Sequence, residues 1–345
     1  MAFNVTLRHS GRTFQVEPGE PVLTAALRQG IGLPYGCKNG ACGSCKGMLV
    51  EGEVEHGPHA ASALANDEKM RGGALLCCAN PLRDLLIDIR EVNGAGDMPI
   101  KKLPCRVNVI NRVVDDVIIM DLQLPANERL QFFAGQYLEF ILRDGQRRSY
   151  SIASAPHHEG LLELHIRHMP GGQFTDHVFG SMKEREILRF EGPLGTFFLR
   201  ENSDKPIVLL ASGTGFAPIK AIIEHAIFKK IERPMTLYWG ARRKKDLYLL
   251  ALAQEWASQV PNFTFVPVLS DAPLEDAWQG RRGLVHHAVI ADLPDLSAHQ
   301  VYACGAPVMV EAARRDFIGQ HRLPDDEFFA DAFTSAADLA NPLQD

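Results

Sequence analysis

Four cysteines constrain this chain more than any other feature. Cys37, Cys42 and Cys45 follow a C-x4-C-x2-C spacing, and Cys77 comes after 31 intervening residues. Four thiolates at that spacing can hold a pair of irons. Gly36, Gly40, Gly43 and Gly47 lie among them, and glycine lets a tight loop turn its N–H groups toward sulfur. A four-cysteine zinc site is the rival reading, yet zinc sites favour paired C-x2-C units, and only Cys42 and Cys45 form one. Seven cysteines is an odd number, and five of them fall in the first quarter of the chain, which favours metal ligation over a disulfide scaffold. Met1-Ala2-Phe3-Asn4-Val5-Thr6 alternates apolar and polar residues without a long apolar stretch, so no signal peptide is read and the thiols are expected in a reducing cytoplasm.

At 345 residues the chain has room for two or three domains. Hydrophobic residues make up 46% and charged residues 23%, the composition of a globular protein. Lys+Arg number 36 against 42 Asp+Glu, a net charge of -6; that balance speaks against a nucleic-acid binder. The longest apolar run, around Ile207 to Ala211, is cut by Ser212, so no membrane span is expected. His56/His59, His157/His158, His165/His168 and His286/His287 form pairs but no HExxH, and neither a Rieske-type Cys-x-His pair nor a G-x-S-x-G elbow occurs.

Three textures succeed one another. Residues 1–92 open with a hairpin (Phe3-Val5-Leu7, then Phe14-Val16 beyond Ser10-Gly11), a short helix Leu23 to Gln29 stopped by Gly30, the cysteine loop, and a strand Leu85-Ile87-Ile89. Residues 93–101, with Asn93-Gly94-Ala95-Gly96-Asp97, read as a linker. Residues 102–202 carry short strands (Val107-Val109, Val117 to Leu124, Tyr137 to Leu142, Leu162-Leu164-Ile166) and no long helix before Asp176, which predicts an antiparallel barrel. Residues 203–345 alternate strands (207–211, 235–239, 263–269, 301–304) with helices (218–229, 247–256, 308–318), which predicts a doubly wound parallel sheet. The expected fold class is therefore multidomain, α+β followed by α/β.

The segment Pro34-Tyr35-Gly36-Cys37-Lys38-Asn39-Gly40-Ala41-Cys42-Gly43-Ser44-Cys45 resembles the β-grasp, plant-type ferredoxin domain at the N-terminus of oxygenase-type reductases. In that resemblance Pro81, four residues past Cys77, favours Cys77 over Cys78 as the fourth ligand and leaves Cys78 pointing away into the core. Arg148-Ser149-Tyr150-Ser151 resembles the RxYS signature of the ferredoxin–NADP reductase superfamily: the arginine can fork onto a pyrophosphate, Tyr150 offers a ring face to the isoalloxazine, and the Ser151 hydroxyl can donate near the flavin N5. The resemblance also assigns His165, Ile166 and Arg167 to cofactor binding. Gly171-Gly172-Gln173-Phe174-Thr175 resembles the second flavin element, an anion nest opening a helix; a plain hairpin turn is the alternative. Gly192-Pro193-Leu194-Gly195 looks like the turn closing the flavin domain.

Gly213-Thr214-Gly215-Phe216-Ala217-Pro218 follows a buried strand and lacks the third glycine of a dehydrogenase fingerprint; it resembles the superfamily's GTGxxP loop, with Pro218 in the first helical turn. Cys304-Gly305-Ala306-Pro307-Val308-Met309 resembles the CGxPxM segment that places Cys304 near the nicotinamide C4 and lets the ring approach Gly305. Gly240, Arg242 and Arg243 follow the second strand, where ribose is read; with Lys244 and Lys245 the arginines could grip a 2′-phosphate, which would mean NADPH, or form a solvated basic loop, while the resemblance implies NADH and leaves NADPH open. Phe328 to Phe333 resembles the C-terminal segment in which an aromatic residue, here Phe333, lies beside the flavin.

Taken from residue 1 to about 333, the chain is similar to the NAD(P)H-dependent reductase components of multicomponent oxygenases, in particular to the CDP-6-deoxy-Δ3,4-glucoseen reductases and terephthalate-dioxygenase-type reductases. The resemblance implies Cys37, Cys42, Cys45 and Cys77 on a [2Fe–2S] cluster, FAD between cluster and NADH, Ser151, Cys304 and Phe333 around the reacting rings, and a protein electron acceptor, a Rieske oxygenase or a deoxysugar dehydratase. A stand-alone diaphorase and an NAD(H)-binding sensor are the rival classes.

Overall fold

The computed structural model describes residues 2–94, 98–158 and 160–334. They form two compact units, one of Met1–Pro99 together with the residues from Phe333 onward, the other of Ile100–Ala332.

The first unit is a small mixed sheet wrapped around one helix. Strands β1 (Phe3–Leu7) and β2 (Thr13–Val16) form the expected hairpin, β3 is Lys46–Glu51, β4 Val54–His56, β5 Gly73–Leu75, β6 Ala79–Pro81 and β7 Leu85–Asp88. The sheet order is β2-β1-β7-β3-β5, with β4 and β6 as a separate pair; β1 and β7 run parallel, which is the crossed centre of a β-grasp. Helix α1 (Val22–Arg28) packs Val22, Leu23, Ala25 and Ala26 inward, and Gly30 leaves it at φ +72, a conformation that favours glycine. Short α2 (Asn66–Met70) lies ahead of β5. The cysteine loop thus hangs between α1 and β3.

The second unit holds two six-stranded sheets. β8 (Lys101–Val114), β9 (Val117–Gln123), β10 (Tyr137–Ile141), β11 (Arg147–Ser151), β12 (Leu161–Arg167) and β13 (Ile187–Leu194) are ordered β11-β10-β13-β8-β9-β12, and an Ile152–Leu164 bridge links the two ends into a barrel. Helix α3 (Gln173–Gly180) plugs it. β14 (Ile207–Ser212), β15 (Met235–Ala241), β16 (Phe263–Leu269), β17 (Arg281–Arg282), β18 (Gln300–Gly305) and β19 (Phe328–Ala332) form a parallel sheet ordered β17-β16-β15-β14-β18-β19. Helices α4 (Phe216–Phe228), α5 (Leu250–Gln259), α6 (Val285–Asp292) and α7 (Pro307–His321) connect them. Two cores sandwich this sheet, one containing Trp239 and Ile222, the other Tyr238 and Phe317, as strands buried on both faces require. The chain order reverses beside β14, and that crevice at the strand ends is where such sheets take ligands.

Candidate functional site

In the cysteine loop the backbone already serves the sulfurs. The Cys37 N–H donates to Cys42 Sγ at 3.2 Å and the Cys42 N–H to Cys37 Sγ at 3.3 Å. Cys37 also meets Cys77, and Cys77 meets Cys45, so the thiols form a row, Cys42–Cys37–Cys77–Cys45. Hydrogen bonding from Cys42 and Cys77 pulls the Cys37 thiol well below its ordinary range, while Cys77 is pushed up by hydrogen bonding with Cys37, Cys45 and Cys78. Among the described residues no three of these sulfurs gather within 4.8 Å of one another, whereas one tetrahedral ion needs about 3.8 Å between sulfurs at 2.3 Å bonds. The row fits two irons better than one zinc. Gly40 sits at φ +79, where a Cβ would fall 2.8 Å from the Pro58 carbonyl and 2.9 Å from Cys78 Sγ. Cys78 therefore lies against the loop, half-buried with its Sγ 3.5 Å from that of Cys77, while also packing against the core of the first unit.

On β11 the pleat sends Arg148 and Tyr150 to one face and Ser149 and Ser151 to the other. Two adjacent arginines differ sharply. Arg147 is held by Glu139 at 3.1 Å and Glu191 at 2.6 Å. The Arg148 guanidinium donates to neutral oxygens, the Arg147 carbonyl at 2.8 Å and Gln146 Oε1 at 2.6 Å, and so keeps its charge for an anion. Tyr150 lies 5.4 Å from the Phe174 ring and 5.9 Å from Phe140, and burial pushes its phenol up. Ser149 donates to Glu139 at 3.2 Å; Ser151 is buried at the end of the strand.

The turn before α3 spends part of the expected nest on itself. The Gly171 N–H donates to Asp176 Oδ2 and the Gly172 N–H to the Met169 carbonyl. Thr175 closes the same turn, donating to Met169 O at 2.9 Å, and a Cβ on Gly172 would come 2.8 Å from its Oγ1. The first-turn N–H groups of Gln173, Phe174 and Thr175 are the ones a helix leaves for an anion. Ile166 is fully buried in the barrel core, with Phe174.

In the parallel sheet, Gly213 at φ +53 begins a tight turn into α4; a Cβ there would meet Arg167 Nη1 at 2.6 Å, and Trp239 Nε1 donates to its carbonyl at 3.1 Å. Gly215 and Gly305 are close-approach positions: a Cβ would fall 2.1 Å from the Cys304 carbonyl and 2.2 Å from Ser212 Oγ, respectively. Gly240 makes room for Val285. Thr214 is buried, Pro218 lies inside α4, Pro307 opens α7, and Met309 packs beneath it. Cys304 is 0% exposed, its thiol pushed well up by burial. Arg242 and Arg243 are exposed after β15. Phe333, just past β19, is 36% exposed.

Sequence reading missed a buried polar cluster joining the barrel to α4. Lys220 reaches Glu163 at 3.1 Å and Glu224 at 2.7 Å. His165 spends both nitrogens, on Glu163 at 2.9 Å and the Tyr248 hydroxyl at 2.7 Å, and burial lowers its pKa. The available signal was Lys220 and Glu224, an i,i+4 pair inside the mostly apolar run Phe216 to Phe228. His286, His287 and Asp316 also bring donor atoms within 4.8 Å, but Arg315 already holds Asp316 at 2.8 Å.

Comparison with known proteins follows this division. Residues 5–82 match the 2Fe-2S iron-sulfur cluster binding domain, residues 104–199 the oxidoreductase FAD-binding domain, and residues 209–315 the oxidoreductase NAD-binding domain. The CDP-6-deoxy-L-threo-D-glycero-4-hexulose-3-dehydrase reductase of Yersinia pseudotuberculosis is 42% identical over 333 residues, 96% of this chain and 99% of that protein. The reductase component of phenol 2-monooxygenase from a Pseudomonas species is 35% identical, over 99% of this chain and 97% of that one. The crystal structure of an Amycolatopsis cytochrome P450 reductase superposes with a TM-score of 0.78 at 35% identity, covering 97% of this chain and 99% of its own.

The fold and its three sites define an iron–sulfur flavoprotein oxidoreductase, taking a [2Fe–2S] cluster, FAD and NADH. The chain belongs to the family of NAD(P)H-dependent reductase components that includes the 3-dehydrase reductases and the oxygenase reductases, and it transfers electrons to a protein acceptor. No helix among the described residues is long and apolar enough to cross a membrane.

Proposed function

We propose that this reductase serves a terminal oxygenase acting on an aromatic compound, with Cys37, Cys42, Cys45 and Cys77 holding the cluster from which electrons leave. One observation carries the scheme: a single chain combines a dinucleotide-type crevice with a row of four thiols. A bound flavin accepts two electrons from NADH together and can release them one at a time. The residues supply placement. Arg148, which meets no carboxylate among the described residues, takes the flavin pyrophosphate with the first-turn amides of α3; Tyr150 and Ser151 border the ring; the Gly213–Gly215 turn takes the dinucleotide pyrophosphate at the start of α4; and the Cys37 and Cys42 amides stabilise thiolate charge. Cys304 is a packed wall of that crevice.

A second reading, a hexulose-3-dehydrase as acceptor, is favoured by the 42% identity to the Yersinia reductase. Seven unpaired cysteines suit a cytoplasmic setting. Cys42→Ser tests the electron order. The variant should lose the cluster's visible absorption and all reduction of a protein acceptor while keeping NADH–ferricyanide turnover. Loss of both activities in a folded, FAD-loaded variant overturns the order. Supplying purified oxygenase and dehydrase side by side decides between acceptors.

A further inference from the structure

We infer that Lys220 is a positioning residue that sets the separation of nicotinamide and flavin by tying the dinucleotide turn to the flavin strand. The inference rests on NADH-to-flavin transfer as read above, and adds the side chain that holds the two sites in register.

Lys220 sits on α4, the helix entered directly from the Gly213–Gly215 turn. It is 6% exposed, in a sequence neighbourhood of Ile219, Ala221, Ile222 and Ile223 that are fully buried. Its ammonium has three acceptors, and they come from both sides. Glu224 on its own helix is 2.7 Å away; from the barrel, Glu163 on β12 is 3.1 Å away and the Ala153 carbonyl 3.3 Å. Ala153 stands two residues past Ser151, and its N–H donates to the Glu163 carbonyl at 2.7 Å. One cation therefore joins the segment that would border the flavin ring to the helix that would carry the dinucleotide.

One further tie runs in parallel, His165 to Tyr248 at 2.7 Å, and the Arg167 side chain packs beside Gly213. Neither directly grips α4 as Lys220 does. If adhesion between the two layers were the only need, packed apolar side chains would serve as well or better than a buried ion pair. An ammonium with three directed acceptors fixes geometry instead, and hydride transfer is sensitive to it, since an error of about 1 Å can cost roughly 100-fold in rate.

The test uses full-length holoprotein. In stopped flow with NADH, Lys220→Met should slow flavin reduction on the order of 10- to 100-fold and weaken the long-wavelength charge-transfer band. The NADH dissociation constant should change less than about 3-fold, because the ligand-facing groups are untouched; Lys220→Arg should recover most of the rate. Hydrogen exchange without nicotinamide should quicken in the 213–220 segment of the Met variant. Glu163→Gln, which leaves the Lys220–Glu224 pair intact, gives the same direction if the Met variant misfolds. Wild-type rates in FAD-loaded Lys220→Met or Glu163→Gln overturn the positioning role, as does a defect confined to NADH affinity. If the wild-type holoprotein itself is not reduced by NADH, the underlying reading fails instead.

Discussion

At the scale of single residues, glycines and one carboxylate show how tightly the second unit is set. Gly215 touches the end of β18 so closely that any Cβ would lie 2.1 Å from the Cys304 carbonyl. Backbone cannot retreat as a side chain does, so Gly215→Ala should cost about 3 kcal/mol, read as a lowered urea midpoint at unchanged slope. Glu163 gives a pH prediction. Burial alone would raise its pKa, but hydrogen bonding and charge from His165 and Lys220 outweigh it and hold the group at about 2, against an ordinary 4.5. A folded pKa below the unfolded one stabilises above about pH 4.5 and is lost as pH falls toward 2. At about 1.4 kcal/mol per unit, that is on the order of 3–4 kcal/mol. Acid unfolding of Glu163→Gln should show a shallower dependence across that window than wild type. The glycines of the two dinucleotide turns were legible as motif letters; that Gly215 and Gly305 are demanded by strand-to-turn contact was not, because the contacting atoms are distant in sequence.

Among elements, those with strong periodicity or uninterrupted apolar runs were readable. β14, β16 and α7 fall where the run and the helical period place them. β13 escaped notice because Gly192-Pro193 reads as a stop. In the sheet, pairing with β8 ends at Gly192, and pairing with β10 shifts register between Tyr137 and Glu139, so the proline occupies an irregular position where no ladder N–H is required. The short α6 has no cap signal, and β19, expected only as a flavin-side segment, completes the sheet by pairing Phe328 with Val301. β15 carries its own prediction. Trp239 stacks on Phe216 with ring centroids 3.9 Å apart and donates to the Gly213 carbonyl. Trp239→Phe keeps most of the stack and loses the donor, so it should cost about 1–2 kcal/mol and raise the KM for NADH more than it lowers kcat, measured in ferricyanide assays.

For the whole molecule, the question is which parts stand alone. The core cluster of the first unit lies within residues 5–89, and the three other clusters lie within residues 103–328. A chain beginning at Ile100 should therefore fold, retain FAD and reduce ferricyanide with NADH at near wild-type rates, while giving no turnover with a protein acceptor; failure to bind FAD would mean that the first unit is needed to complete the flavin site. By itself the sequence determined the cysteine spacing, the succession of barrel strands and alternating strand–helix units, and the residue types at the glycine turns, since each is a local pattern of spacing, period or backbone freedom. Only the tertiary structure decided that Arg148 rather than Arg147 keeps an unneutralised charge, that Cys78 lies against the loop, and that Lys220 meets Glu163. Those facts depend on which distant side chains share a face, and on the burial of charge that follows once the sheets are packed.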